Sequence, residues 1–171
     1  YSCIILPENQ HTYNSTRLDL LDYYQQYLNN GGSIISMGFI AIRDEGNTQY
    51  ADRDLFMMTL FNLKIGALIN SNYSITTMTH PITSDYEQNT SLGLGVGIDN
   101  LTVNSTMIET RAFLKAVDRS NGSLLSYCGF ASEIGDGRSV YIQVYDLGLN
   151  YWFDNTTLLL RALQWCIYRG Y

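Results

Sequence analysis

The stretch Leu18–Phe39, LDLLDYYQQYLNNGGSIISMGF, constrains the fold more than any other part of the chain. Leu18, Leu21, Tyr24 and Leu28 recur at the spacing of one helix face, and Asn14-Ser15-Thr16 supply N-cap candidates ahead of them. Asn29-Asn30-Gly31-Gly32 stops the helix, because glycine takes the left-handed C-cap conformation without a Cβ clash. Ser33–Ile40 then reads as a buried strand ending at Met37-Gly38-Phe39. The apolar run Ser2–Pro7 before it reads as another strand. Strand, helix and strand together imply a parallel pair with a right-handed crossover, hence a sheet that helices must cover.

Downstream, the text becomes strand-rich. Arg43–Tyr50 is a polar loop, and Asp54–Leu63 reads as a helix burying Leu55, Met58 and Phe61. Met57-Met58 suits core packing better than a soft binding surface. From Gly66 the β-branched alternation of ALIN and YSITTMT predicts strand, and His80-Pro81-Ile82-Thr83 a turn. Ser91–Ile98 holds Gly93, Gly95 and Gly97, but no helix or Lys-Ser/Thr follows as a phosphate loop requires, so it reads as strand. Thr110–Val117, Leu124–Phe130 and Ser139–Tyr145 are three further strands, joined by turns at Asp118–Gly122 and Gly135–Arg138. Thr157–Tyr168 closes the chain as a helix capped by Asp154 or Asn155. The 171 residues are expected to form one domain, 1–171, with a parallel βαβ start and an antiparallel C-terminal extension of a mixed sheet.

Charge and motif content narrow the partners. The net charge of −6 argues against nucleic acid, whose phosphates require a basic patch, and no apolar run is long enough to span a membrane. Charged side chains are scarce at 15%, so neutral polar groups, or something attached to them, must keep the surface soluble. Asn-x-Ser/Thr sequons occur at Asn14, Asn72, Asn89, Asn100, Asn104, Asn121 and Asn155, where chance would supply about two or three. Each falls where a loop or helix start is expected. The excess predicts covalent N-glycans and an extracellular, cell-surface location. The first residue is Tyr1, which is expected of a processed form or a fragment. Cys3, Cys128 and Cys166 are an odd number: either one disulfide with a spare, Cys128–Cys166 being the first pairing to try, or three buried thiols.

Several phrases resemble the class I glutamine amidotransferase-like superfamily, especially its non-catalytic, ThuA-like branch. They are CIILPE, LLDYYQQYLNNGGSIISMG, HPIT, EIGDGRSVYIQV and NTTLLLRALQWCIY, spread over nearly the whole chain. The resemblance implies an α/β fold, a flavodoxin-like, glutamine amidotransferase-like three-layer sandwich. Domains of that type open with a further β-α-β portion, which is missing here. Its absence would leave an edge at Ser2–Pro7 open to strand addition by a neighbour.

The resemblance also tests for chemistry. A glutaminase of that superfamily needs a Cys on the turn after a strand, and a His with a Glu near the end of a later one. Here the turn is Met37-Gly38-Phe39, and the later strand ends in Tyr145-Asp146-Leu147 without a His. Ser36 precedes the turn but lacks an evident base. The expectation is a non-enzymatic structural or assembly domain, self-associating or joined to neighbours in a filament, surface layer or larger ectodomain, with no cofactor and no metal. The alternative is a carbohydrate-processing or carbohydrate-binding domain, its site at the strand ends formed by Glu8, His11, Phe39 and His80. Both histidines are otherwise expected in solvated loops.

Overall fold

The computed structural model describes residues 3–6, 18–37, 51–143 and 156–168. Its elements are β1 (Cys3–Leu6), α1 (Leu18–Asn29), β2 (Ser33–Met37), α2 (Ala51–Phe61), β3 (Leu63–Thr77), β4 (Ser91–Val103), β5 (Thr110–Asp118), β6 (Leu124–Ile134), β7 (Gly137–Ile142) and α3 (Thr156–Ile167). The strands form one sheet in the order β1-β2-β7-β6-β4-β3-β5.

The first three strands of that order are parallel and in unbroken register: Ile4 lies beside Ile34, and Ile34 beside Ser139. The end of α1 explains how the chain enters this layer. Gly31 takes φ 85°, while its N–H bonds Leu28 O and the Gly32 N–H bonds Tyr27 O. This paired geometry satisfies the last carbonyls of the helix and turns the chain sharply into β2. Side chains then alternate between two cores, as the two-residue period of a strand requires. Ile34 and Tyr141 pack with Leu21 and Leu28 of α1 and Phe56, Met57 and Leu60 of α2. Ile35, Val140 and Ile142 pack with Leu158, Ala162 and Trp165 of α3.

The expected flavodoxin-like three-layer sandwich is corrected by the other half of the sheet. Among the described residues strand outweighs helix, and β5 does not end the sheet: it pairs β3 on one side and β6 on the other. Strands β6, β4, β3 and β5 thereby close into a four-stranded antiparallel barrel. Closure needs curvature, and the long β3–β4 pairing supplies it through three register shifts, at Ile65/Leu68, Ile69/Asn72 and Ile75/Thr76. The seam is narrow. β4 meets β6 at Leu101 opposite Tyr127, where the Ser126 hydroxyl accepts the Leu101 N–H at 3.2 Å and lies 3.1 Å from Asp99 O.

The helix expected over Asp54–Leu63 stops two residues earlier, and of its expected buried face Phe61 is buried, Met58 half-buried and Leu55 exposed. Phe56, Met57, Leu60 and Phe61 are buried while Leu55 is exposed. Asn62 follows in the left-handed conformation at φ 56° and is fully buried. Its Nδ2 donates to Ser105 O (2.8 Å) and Thr110 Oγ1 (2.9 Å), and its Oδ1 accepts the Ser105 N–H (2.9 Å). Its own carbonyl accepts the Asn104 N–H. Thr110 Oγ1 donates to Ser132 Oγ, and Ser132 Oγ to Phe61 O. One side chain therefore joins the end of α2, the exit of β4 and the entry of β5.

Candidate functional site

Because β1, β2 and β7 are parallel, Leu6, Met37 and Ile142 deliver their C-terminal ends to one side of the sheet, the position where open α/β sheets bind ligands. Of the residues expected there, Glu8, His11 and Phe39 lie outside the described residues. Ser36 is fully buried, and its hydroxyl has no hydrogen-bond partner among the described residues. A hydroxyl without a base is not an activated nucleophile.

His80 lies elsewhere, beyond the end of β3, and is 8% exposed rather than solvated as expected. Pro81–Thr83 forms one 3₁₀ turn with His80 as its N-cap, and Nδ1 accepts the Ile82 N–H at 3.1 Å. Pro81 suits the first position of such a turn, because its fixed φ is helical and it needs no N–H partner there. The imidazole lies between the rings of Phe113 and Trp165, at centroid distances of 5.6 and 5.8 Å. Burial, with a smaller contribution from the Arg111 charge, lowers its pKa to about 4. The ring is therefore neutral at physiological pH, with Nδ1 committed to the cap.

Hydroxyls hold the turn around it. Thr83 Oγ1 donates to His80 O (3.0 Å) or Met78 O, and Thr77 Oγ1 donates to Glu87 O while accepting the Thr90 N–H. Arg161 of α3 clamps the turn through a two-pronged bond to Asp85, which holds that carboxyl below its ordinary range. Beside His80 opens a cleft of about 450 Å³, lined among others by Thr79, Ser84, Tyr86, Gln88 and Arg111. Its hydroxyls, its amide and the Arg111 guanidinium suit hydrogen bonding to a polar ligand, and its histidine is too weak a base for proton transfer near neutrality. Among the described residues no group of three or more His, Cys, Asp or Glu could hold a metal ion, and no helix is long and apolar enough to cross a membrane.

Five of the seven sequons fall on described residues, and all five belong to the barrel or its turns; Asn14 and Asn155 lie outside them. Asn72, Asn89, Asn100 and Asn121 are exposed and Asn104 is half-buried. Asn72 and Asn100 stand inside β3 and β4 rather than in the expected loops. Asn72 follows a register shift in its strand, and Asn89 takes φ 66° in the turn before β4. Asn121 Oδ1 accepts the Ser123 N–H at 2.8 Å, leaving the amide nitrogen, where a glycan attaches, outside that bond. The network around Asn62 fixes the Asn104 sequon, since Ser105 bonds it through both N–H and C=O.

All three cysteines are free thiols, so the expected Cys128–Cys166 disulfide is not formed. Cys128 lies fully buried on β6, and burial pushes its thiol up. The thiol beside Cys166 belongs instead to Cys3: a hydrogen bond between the two lowers Cys3 and, together with burial, raises Cys166. Spacing in sequence carries no signal for a contact between the first strand and the last helix.

No family model and no curated protein matches the chain. Solved structures do. A β-galactosidase from Rahnella sp. R3 superposes at TM-score 0.67 and 9% identity, covering 96% of this chain and 23% of its own. A cytoplasmic protein from Salmonella typhimurium gives 0.63 and 12%, covering 97% and 72%. A putative ThuA-like protein from Bacteroides uniformis gives 0.56 and 12%, covering 96% and 69%. The chain thus spans about a quarter of the first of these. The superfamily assignment read from short phrases is corrected accordingly: the neighbours are heterogeneous, and the phrases reflect strand and turn grammar common to many sheets. At these identities the likeness is one of fold alone.

Proposed function

We propose that this chain is an N-glycosylated, extracellular assembly domain without catalytic activity, which joins its neighbours by strand addition at β1. The observation that carries the reading is a division of the surface. The described sequon asparagines all belong to the barrel side and none is buried, whereas the sheet ends at β1, whose only strand partner among the described residues is β2. Glycans are bulky and hydrated, so they must project from exposed positions and leave contact surfaces bare. An edge strand presents unpaired N–H and C=O groups, a template for another chain. The commitment of His80 to a cap and the burial of Ser36 support the non-catalytic part.

Two measurements test it. Glycopeptide mapping of native material, before and after enzymatic deglycosylation, is expected to find sugar on Asn72, Asn89, Asn100 or Asn121. Unmodified asparagines at all of these positions would overturn the extracellular reading. Ile5→Lys places a charge on an edge residue that is 40% exposed and is expected to weaken self-association in sedimentation experiments while leaving the fold intact. Unchanged association would remove β1 as the joint. A second reading, a carbohydrate-binding site, is favoured only by the hydrogen-bonding groups, Arg111 among them, that line the His80 cleft; it predicts oligosaccharide binding by calorimetry that His80→Ala weakens.

A further inference from the structure

The order of strands places Cys3 and Cys166, the most distant cysteines in sequence, around a single residue. Cys3 of β1 lies beside Ser33 of β2 in the parallel register. The Ser33 hydroxyl, itself buried, donates to the main-chain carbonyl of Cys166 at 2.9 Å. Cys3 also packs against the apolar cluster that contains Cys166, so Ser33 is flanked by Cys3 along the sheet and by Cys166 on α3. Cys128 is completely enclosed on β6, whereas Cys3 is only half-buried and open to reagents.

We propose that Cys3 and Cys166 are a thiol pair that oxidises to a disulfide linking the edge strand to α3. Cys3 is the more exposed of the two thiols and the one whose pKa is lowered, which makes it the attacking group. With a small-molecule disulfide such as oxidised glutathione as oxidant, Cys3 Sγ attacks one of its sulfurs. The S–S bond of the oxidant breaks, one glutathione thiolate leaves, and a mixed disulfide forms. Cys166 then loses its proton to solvent or to the departed thiolate and attacks Cys3 Sγ, expelling the second glutathione thiolate. Two protein thiols are oxidised by two electrons and one glutathione disulfide is reduced to two thiols. The link would fasten β1, the strand assigned above to assembly, to α3, the helix packed against the parallel layer. It stands on the placement of the thiols and is independent of whether the asparagines carry sugar.

Incubation with oxidised glutathione, followed by alkylation under denaturing conditions and non-reducing peptide mapping, tests the pair. Before alkylation the expected product is about 2 Da lighter than the reduced chain; after it, the product contains a peptide joining Cys3 to Cys166 and is alkylated at Cys128 only. Cys166→Ala is expected to stall at a glutathione mixed disulfide on Cys3, and Cys128→Ala to retain the Cys3–Cys166 link. A dominant link through Cys128, or alkylation of all three cysteines after exposure to the oxidant, would overturn the proposal. So would a Cys128→Ala variant that folds, as judged by circular dichroism, yet forms no link.

Discussion

The parallel layer β1-β2-β7 and the barrel β6-β4-β3-β5 share one sheet but are held together by different means. In the parallel layer the register is unbroken, and tightness comes from backbone against backbone. A Cβ on Gly137 would collide with the carbonyl oxygens of Leu28 and Gly32, and one on Gly32 with the ring of Tyr27. The barrel is irregular, with register shifts in both the β3–β4 and β5–β6 pairings, and side-chain oxygens bridge the places where main-chain pairing fails. Regular pairing is an outcome that hydrophobic alternation can specify by itself. Closing a ring requires bends, and each bend frees polar groups that a specific side chain must satisfy.

Substitutions in the two halves of the sheet are expected to differ in cost. Gly137→Ala leaves no flexible atom to yield, so a loss of about 3 kcal/mol or more in denaturant unfolding is expected. A loss below about 1 kcal/mol would show that the layer is looser than its backbone contacts indicate. Asn62→Ala removes a donor with two partners and an acceptor with one, while keeping a left-handed φ that alanine disfavours. A cost of about 2–4 kcal/mol follows. Asn62→Gly relieves only the backbone and should recover about 1 kcal/mol of that.

Ser126→Ala orphans the buried Leu101 N–H at the barrel seam, with an expected cost of about 1–2 kcal/mol. Hydrogen exchange would sharpen the point: protection should fall first at Leu101, and unchanged protection there would mean that the seam does not depend on the hydroxyl. A separate effect is on pH dependence. His80 has a pKa near 4 when folded and 6.5 ordinarily, so between those values the unfolded chain binds a proton that the folded one does not. Stability therefore falls as pH drops through this window and is fully retained above it. His80→Asn, whose Oδ1 can accept the Ile82 N–H in place of Nδ1, is expected to flatten the melting-temperature profile between about pH 6.5 and 4. An unaltered profile would assign the acid sensitivity to other groups.

Legibility in the sequence follows the same division. The helix, glycine stop and strand over residues 18–37 can be read because each signal is local, and the alternation of β2 sets its two faces. The N-terminal part of β3 is concealed because Leu63-Lys64-Ile65 continues a helical pattern. Asn62, a residue that tolerates the left-handed conformation, is the available signal that the helix has ended. The face of α2 includes Phe61 as expected but takes Phe56 in place of Leu55, since the two are equally apolar and only the neighbouring elements choose between them. His80 has the local signature of an ordinary loop residue beside a proline; Phe113 and Trp165 bury it from elements that follow it in the chain.

Residue type and short spacing by themselves determined the sequons, the acidic balance, the glycine turns and most strand positions, because these depend on neighbours within a few residues. Tertiary structure alone decided that β5 returns to β6 and closes the barrel, that the described sequons share the barrel side, and that Cys166 meets Ser33, the residue beside Cys3. Each of those outcomes is a contact between segments far apart in the chain. It is chosen by which packing satisfies every bend and buried polar group at once, a condition that no local window contains.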